Sequence, residues 1–172
     1  EAIEIVAPDV GGGFGMKGVA YPEYVLILWA ARRFGRPVRW LAERTEEFTN
    51  GAHGRANVTR ARLGLDEQGN FLALDVETLG ELGAYVSAGG PGSSTIAPST
   101  AMGGLYAIPA IFMDVHGVLT NTCPIDAYRG AGKPEANYII ERLIDLAAHR
   151  LGFDALALRR RNLMHAFPYR TG

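Results

Sequence analysis

Two stretches of alternating apolar and polar residues flank the turn Asp66 to Asn70. Before it, Thr59, Ala61, Leu63 and Leu65 alternate with Arg60, Arg62 and Gly64; after it, Leu72, Leu74 and Val76 alternate with Ala73, Asp75 and Glu77. Strand side chains point to opposite faces in turn, so a period of two gives each strand one apolar and one wet face. The pattern predicts an antiparallel hairpin over 56–79. An isolated hairpin is marginal in water, so something must cover its apolar face. Asp75 and Glu77 fall on the wet face and read as solvated strand carboxylates, not as an acid/base pair.

A cover is encoded downstream. Ala136, Ile139, Ile140, Leu143, Ala147 and Leu151 recur at helical spacing, Pro134 suits a helix start and Gly152 a left-handed stop, which predicts a helix over 135–151. Asp154 can cap a short basic helix over 155–163. A further helix is expected from Pro22 to Phe34, ended by Gly35 and Pro37; its apolar residues run nearly all round, which argues for burial. Short strands are expected at Ile3 to Val6, at Val38 to Leu41, and at Ile111 to Leu119 with a break at Gly117. Residues 79–104 are small and polar and read as a long loop. The fold class is therefore α+β: a mixed β-sheet with helices 22–34 and 135–151 packed on it and the hairpin as its antiparallel part. The 172 residues suffice for one globular unit, or two small lobes sharing one core.

Composition removes several function classes. Seventeen Lys and Arg against eighteen Asp and Glu, scattered along the chain, leave no basic footprint for nucleic acid. The single cysteine, Cys123, excludes an internal disulfide framework and a CxxC pair. No apolar stretch is long enough for a membrane span and no signal-peptide pattern opens the chain. These features lead us to expect a cytoplasmic protein, with a periplasmic location left open.

The remaining signal lies in two glycine-containing stretches. Val10 to Gly18, VGGGFGMKG, cannot build a core; dense glycine lets backbone approach a ligand and turn N–H groups outward. Asn121 to Glu135, NTCPIDAYRGAGKPE, leads into the long helix and carries Arg129, whose planar fork suits an oxo-anion. Each stretch is read as a strand, a glycine turn and a proline-opened helix, and together they could clamp one anionic ligand. A tight loop without ligand, and an Arg129 bonded to loop carbonyls, remain open at this point. Gly13 to Gly18 fits G-x-G-x-x-G, but Pro8 and Asp9 separate it from the strand and Pro22 starts the helix too late for a dinucleotide fold. Gly18 after Lys17 excludes a Walker loop. The serines lack a nucleophile-elbow context, and His53, His116, His149 and His165 share no metal-ligand spacing. His53 is the one loop histidine near turn signals.

With these motifs in place, the sequence resembles the molybdenum-cofactor-binding large subunit of the xanthine dehydrogenase, aldehyde oxidase and carbon monoxide dehydrogenase family. APDVGGGFGMKG, AYRGAGKPEANYIIERLIDLAAHRLG and LRRRNL carry the resemblance, with YPEY, AHGR, LGAY, YAIP and TNT between them. It implies a fragment of a molybdopterin-binding domain and a molybdenum–molybdopterin cofactor, in the cytosine dinucleotide form in some bacterial members. It also implies hydroxylation of a small-molecule substrate with water as oxygen source, and electrons leaving through iron–sulfur and FAD partners elsewhere. Carried over by motif, Gly12, Gly13, Phe14 and Gly15 would approach a metal-bound oxo group through backbone, and Ala127, Tyr128 and Arg129 would hold the pterin. No side chain would ligate the metal.

Departures from the family pattern narrow the substrate. Purine-oxidising members carry a glutamate where Gly18 stands and a phenylalanine where Ala131 stands, and Ala97-Pro98-Ser99 replaces an expected arginine. Copper-dependent carbon monoxide oxidation uses a cysteine where Gly130 stands, and Cys123 is no substitute for it. An aldehyde or small N-heterocycle is left. The family's general-base glutamate, near the far C-terminus, and an upstream glutamine have no counterpart here, and neither Glu81 nor Glu135 is a replacement; the fragment alone is expected to be inactive. A non-catalytic assembly relative, and more distantly a dinucleotide-binding domain, are the alternatives.

Overall fold

In the computed structural model, which describes residues 4–169, the hairpin forms from β1 (Asn57–Leu65) and β2 (Phe71–Gly83). Its turn is held by Asp66, whose carboxylate accepts from the backbone N–H groups of Gln68 at 3.0 Å and Asn70 at 2.8 Å. Opposed Thr59 and Thr78 bring their hydroxyls to 3.0 Å on the inner face, and Arg62 pairs with Asp75 on the outer one. The inward set on β2 is Phe71, Leu74, Val76 and Thr78, whereas Leu72 is half exposed. Leu65 pairs with Phe71 and Gly64 with Ala73, so Leu72 is skipped as a bulge, and the parity of the strand flips there.

The third strand, β3 (Ala110–Leu119), lies parallel to β2, giving the order β1-β2-β3 in one mixed sheet. It runs through Gly117 without the expected break. The connection between β2 and β3 is not a bare loop: it carries α3 (Gly90–Ser94) and α4 (Ile96–Ser99), numbered after the two helices nearer the N-terminus described next.

Those are α1 (Pro22–Phe34) and α2 (Arg44–Asn50). The ends of α1 are the expected ones, Pro22 in the first turn and Gly35 left-handed at the stop. Its burial is not: no residue of α1 is buried, and Val25, Leu26, Leu28 and Trp29 are 60 to 70% exposed. The helix does not pack on the sheet, so its apolar surround has no cover among the described residues. Two predicted strands are also absent. Residues 38–41 and the described part of 3–6 are extended or irregular, and Ile3 lies outside the described residues. Extended backbone becomes a strand only where a neighbouring ladder takes its hydrogen bonds, and none is alongside. α2 was hidden in a polar stretch; Glu46 accepts from the Glu43 N–H at 2.7 Å and completes a capping box without the usual Ser or Thr.

The cover of the sheet is α5 (Lys133–Leu151), which begins two residues before the predicted start and ends at left-handed Gly152. Ala136, Ile140, Ile144 and Ala148 form its buried stripe and join Leu74, Val76, Met102, Tyr106 and Ile108 in one core; Leu151, expected inside, is exposed. α6 (Ala155–Arg161) is capped by Asp154, which accepts from Ala157 N–H at 2.7 Å. Buried Asn162 then accepts from Phe71 N–H at 2.8 Å and donates to the Gly69 carbonyl at 2.9 Å, fastening the hairpin turn to the end of α6. No described helix is long and apolar enough to cross a membrane.

Candidate functional site

The two glycine-containing stretches meet. The Arg129 N–H donates to the Phe14 carbonyl at 2.7 Å, and the Arg129 guanidinium lies over the Phe14 ring at 5.5 Å. Gly15 is the residue that permits this approach. Its φ is +98°, and a Cβ there would overlap the carbonyl oxygen of Ala127 and come within 2.9 Å of its carbon. The N–H groups of Gly12, Gly13, Phe14 and Gly15 have no protein acceptor among the described residues. On this surface Phe14 is 52% and Tyr128 41% exposed. Arg129 finds no carboxylate within salt-bridge range among the described residues. Lys17, by contrast, is engaged with Glu47 at 3.0 Å.

The shared strand-turn-helix plan is corrected. No strand precedes the first loop among the described residues, and that loop closes into a single 3₁₀ turn, Met16–Gly18, before α1. The second loop does abut a helix: Gly132, left-handed, caps α5. A Cβ on Gly132 would come within 2.6 Å of Pro98 and 2.7 Å of the Ser93 carbonyl, so α3 and α4 are seated directly against the loop. Four non-glycine residues around the site hold positive φ: Phe14 at +51°, Arg55 at +70°, Arg129 at +20° and Ala131 at +44°. Such conformations persist only when surrounding contacts over-determine them.

Two of those contacts come from residues the sequence reading did not select. Asp126, 4% exposed, accepts from Ser87 Oγ at 2.5 Å, from Gly89 N–H at 3.1 Å and from Ala127 N–H at 2.5 Å. One carboxylate thus binds the 87–90 turn to the start of the second loop. Arg55 donates from Nη1 to the Tyr128 carbonyl at 2.9 Å and from Nη2 to the Arg129 carbonyl at 2.7 Å. Its guanidinium also lies over the Tyr128 ring at 5.1 Å and within 3.6 Å of Glu135 Oε1. Both residues stand in stretches that carry the family resemblance, NTCPIDAYRG and AHGR, but a side chain's donor or acceptor role toward a distant loop leaves no periodic signal. Ser87 left none either.

Other candidates resolve into structural roles. His53 takes part through its backbone, donating to Pro124 at 2.9 Å and accepting from Asp126 N–H at 2.8 Å, while its side chain is exposed. Glu81 accepts from Thr120 and Thr122 hydroxyls at 2.5 Å each; these bonds hold its carboxyl below the usual range. Glu135 is a first-turn acid of α5 facing Arg55. Burial pushes the Cys123 thiol up, away from thiolate chemistry. Among the described residues no three His, Cys, Asp or Glu side chains converge as a metal cage.

An anion could enter this arrangement: among the described residues it has N–H groups without a protein acceptor, one arginine without an acid partner, and backbone packed too closely for a Cβ. The family model for the molybdopterin cofactor-binding domain matches residues 1–163. The gamma subunit of the 6-hydroxypseudooxynicotine dehydrogenase complex of Paenarthrobacter nicotinovorans is 38% identical over 166 residues, which is 95% of this chain and 21% of that protein. The carbon monoxide dehydrogenase large chain of Hydrogenophaga pseudoflava is 35% identical over 98% of this chain and 22% of its own length. Among solved structures, quinoline 2-oxidoreductase from Pseudomonas putida 86 superposes with a TM-score of 0.89 at 37% identity, covering 95% of this chain and 21% of that one. Aldehyde oxidoreductase from Desulfovibrio gigas gives 0.81 at 26% identity over 93% and 17%. The chain spans about a fifth of the length of the curated relatives it matches. With the family model running through both glycine loops and along nearly the whole chain, this protein belongs to the molybdopterin cofactor-binding domain family.

Proposed function

We propose that this chain is the portion of a molybdenum hydroxylase large subunit that cradles the metal side and the pterin side of the cofactor, from two loops joined at Phe14 and Arg129. The observation that carries the reading is the junction itself. The Arg129 N–H to Phe14 carbonyl bond at 2.7 Å places an acid-free guanidinium beside four backbone N–H groups with no protein acceptor among the described residues. Oriented N–H groups stabilise oxygen charge on a bound complex without competing to ligate its metal. Gly12, Gly13, Phe14 and Gly15 would present that backbone, and Ala127, Tyr128 and Arg129 would hold the pterin; the residues fit such a group because Gly15 brings its backbone against Ala127 with no room for a side chain, which seats the two loops side by side.

When bound, the molybdenum–pterin group, which we take to be the cytosine dinucleotide form, supplies two-electron oxidation of a substrate carbon with oxygen from water. The substrate is an aldehyde or a small N-heterocycle. Gly18, Ala131 and Ala97 to Ser99 offer a purine neither charge nor stacking surface, and Gly130 stands where copper-type carbon monoxide oxidation needs a cysteine. The general-base glutamate is supplied by sequence outside this chain, and iron–sulfur and FAD subunits or domains receive the electrons. The compartment we propose is the cytoplasm, with the periplasm as the alternative.

Expression of the full-length polypeptide with its partners, in cells competent in cofactor synthesis, tests the reading. Molybdenum and pterin should copurify in equal amounts, and Arg129→Ala should lower both together. A complex free of metal and pterin would instead favour a non-catalytic assembly role.

A further inference from the structure

We propose that Arg55 is a positioning residue for the cofactor loop, and that the N–H it aims toward a bound anion is that of Gly130. The inference rests on the cofactor-binding reading above and adds to it a residue that lies outside both glycine motifs.

A trans peptide unit is planar, with its C=O and the next residue's N–H pointing in opposite directions. The carbonyls of Tyr128 and Arg129 both converge on the one Arg55 guanidinium, at 2.9 and 2.7 Å. The N–H groups of Arg129 and Gly130 must therefore point away from Arg55. The first meets the Phe14 carbonyl at 2.7 Å, which fixes the direction of the first glycine loop relative to this one. The second has no protein acceptor among the described residues and stands directly after Arg129. Two successive peptide planes are thus set by a single side chain.

Arg55 is itself held in several ways. The Tyr128 ring lies beneath it at 5.1 Å, and Glu135 Oε1 stands 3.6 Å from Nη1, while Glu135 Oε2 is buried with no hydrogen-bond partner. Loss of the guanidinium would leave that carboxylate without a cation in a site where its side chain is 13% exposed. The backbone at Arg55 adopts φ +70°, an unusual conformation for a residue with a side chain, and it is retained where the fork reaches both carbonyls. A lysine cannot replace it, because an ammonium is a point donor and lacks the planar pair of N–H groups that reaches two adjacent carbonyls.

The test uses the full-length protein with its co-expressed partners, comparing wild type, Arg55→Lys, Arg55→Ala and a control, Arg62→Ala, whose pair with Asp75 lies on the outer face of the hairpin. Hydrogen exchange of the Arg129 amide and dilution-driven loss of molybdenum and pterin are both followed. Arg55→Lys should leave circular dichroism unchanged, speed Arg129 amide exchange about tenfold and speed cofactor loss about tenfold, the scale of one lost charge-assisted bond; Arg62→Ala should change neither. Unchanged exchange in Arg55→Lys would overturn the proposal, as would faster exchange with cofactor retained at the wild-type rate. A wild-type complex lacking molybdenum and pterin refutes the function proposed above, and the exchange rates then decide alone whether Arg55 sets the loop.

Discussion

Truncating Asp126 separates the role of the carboxylate from that of the glycine loops it joins. Asp126→Ala removes the acceptor for Ser87 Oγ, Gly89 N–H and Ala127 N–H at a position only 4% exposed. Each donor stranded in a buried site costs about 1–3 kcal/mol, and partial relaxation keeps three of them from adding in full. The expected loss is about 3–5 kcal/mol of local stability, confined to the 87–90 turn and the start of the second loop. Hydrogen exchange through local opening converts this directly, at about 1.4 kcal/mol per tenfold, so the amides of Gly89 and Ala127 should exchange roughly a hundredfold to several thousandfold faster. Asp126→Asn keeps the shape and one acceptor oxygen but turns an NH₂ toward one donor, and about 1–3 kcal/mol should be lost. Amides in the hairpin, such as that of Val76, should not change in either variant. An alanine variant with wild-type exchange at Gly89 and Ala127 would refute the role given to Asp126, and so would an asparagine variant as impaired as alanine.

Gly15→Ala and Gly11→Ala form a second contrast. At Gly15, positive φ costs about 1–3 kcal/mol and the added Cβ overlaps the Ala127 backbone, so molybdenum and pterin content should fall sharply. A Cβ on Gly11 meets nothing within 4 Å, and its variant should retain wild-type content; equal occupancy in the two would contradict the close approach of the loops. Tyr106, 3% exposed, donates to Glu141 Oε1 at 2.6 Å, and Tyr106→Phe should cost about 1–2 kcal/mol in denaturant unfolding. Burial, with the Glu141 bond adding to it, pushes the Tyr106 phenol up to about 12, so its contribution is complete below the unfolded value near 10 and is lost as pH rises from there through about 12. The phenylalanine variant should lose less stability than wild type over that interval.

What the sequence made legible was local periodicity and local capping. The 59–65 and 72–76 alternation placed the hairpin, the helical spacing of Ala136, Ile139, Ile140, Leu143, Ala147 and Leu151 placed α5, and Asp154 and Gly152 marked true helix ends. The alternation also erred at Leu72, because a bulge is set by pairing across the turn and not by the strand's own pattern. Apolar character around α1 was legible, but burial depends on a cover, and none of the described residues supplies one. The runs at 3–6 and 38–41 have strand composition without a ladder beside them in the described residues. The parallel placement of β3 on β2 is a long-range choice that no window of residues encodes.

At the site, the two glycine stretches were legible as a pair, and their contact at Phe14 and Arg129 is where the fold joins them. The hands that hold them there were not. Asp126 and Arg55 act across 37 to 39 and 73 to 74 residues of sequence, through single hydrogen bonds whose partners are backbone atoms or a hydroxyl. Backbone carbonyls carry no residue identity, so nothing in the periodicity or spacing of the sequence assigns Arg55 a role different from the exposed arginines of β1.

The most direct test of the account is the molybdenum and pterin content of the full-length protein purified with its partners from cofactor-competent cells. One molybdenum and one pterin per copy, both lost together in Arg129→Ala, is the predicted result; a folded complex containing neither would contradict it.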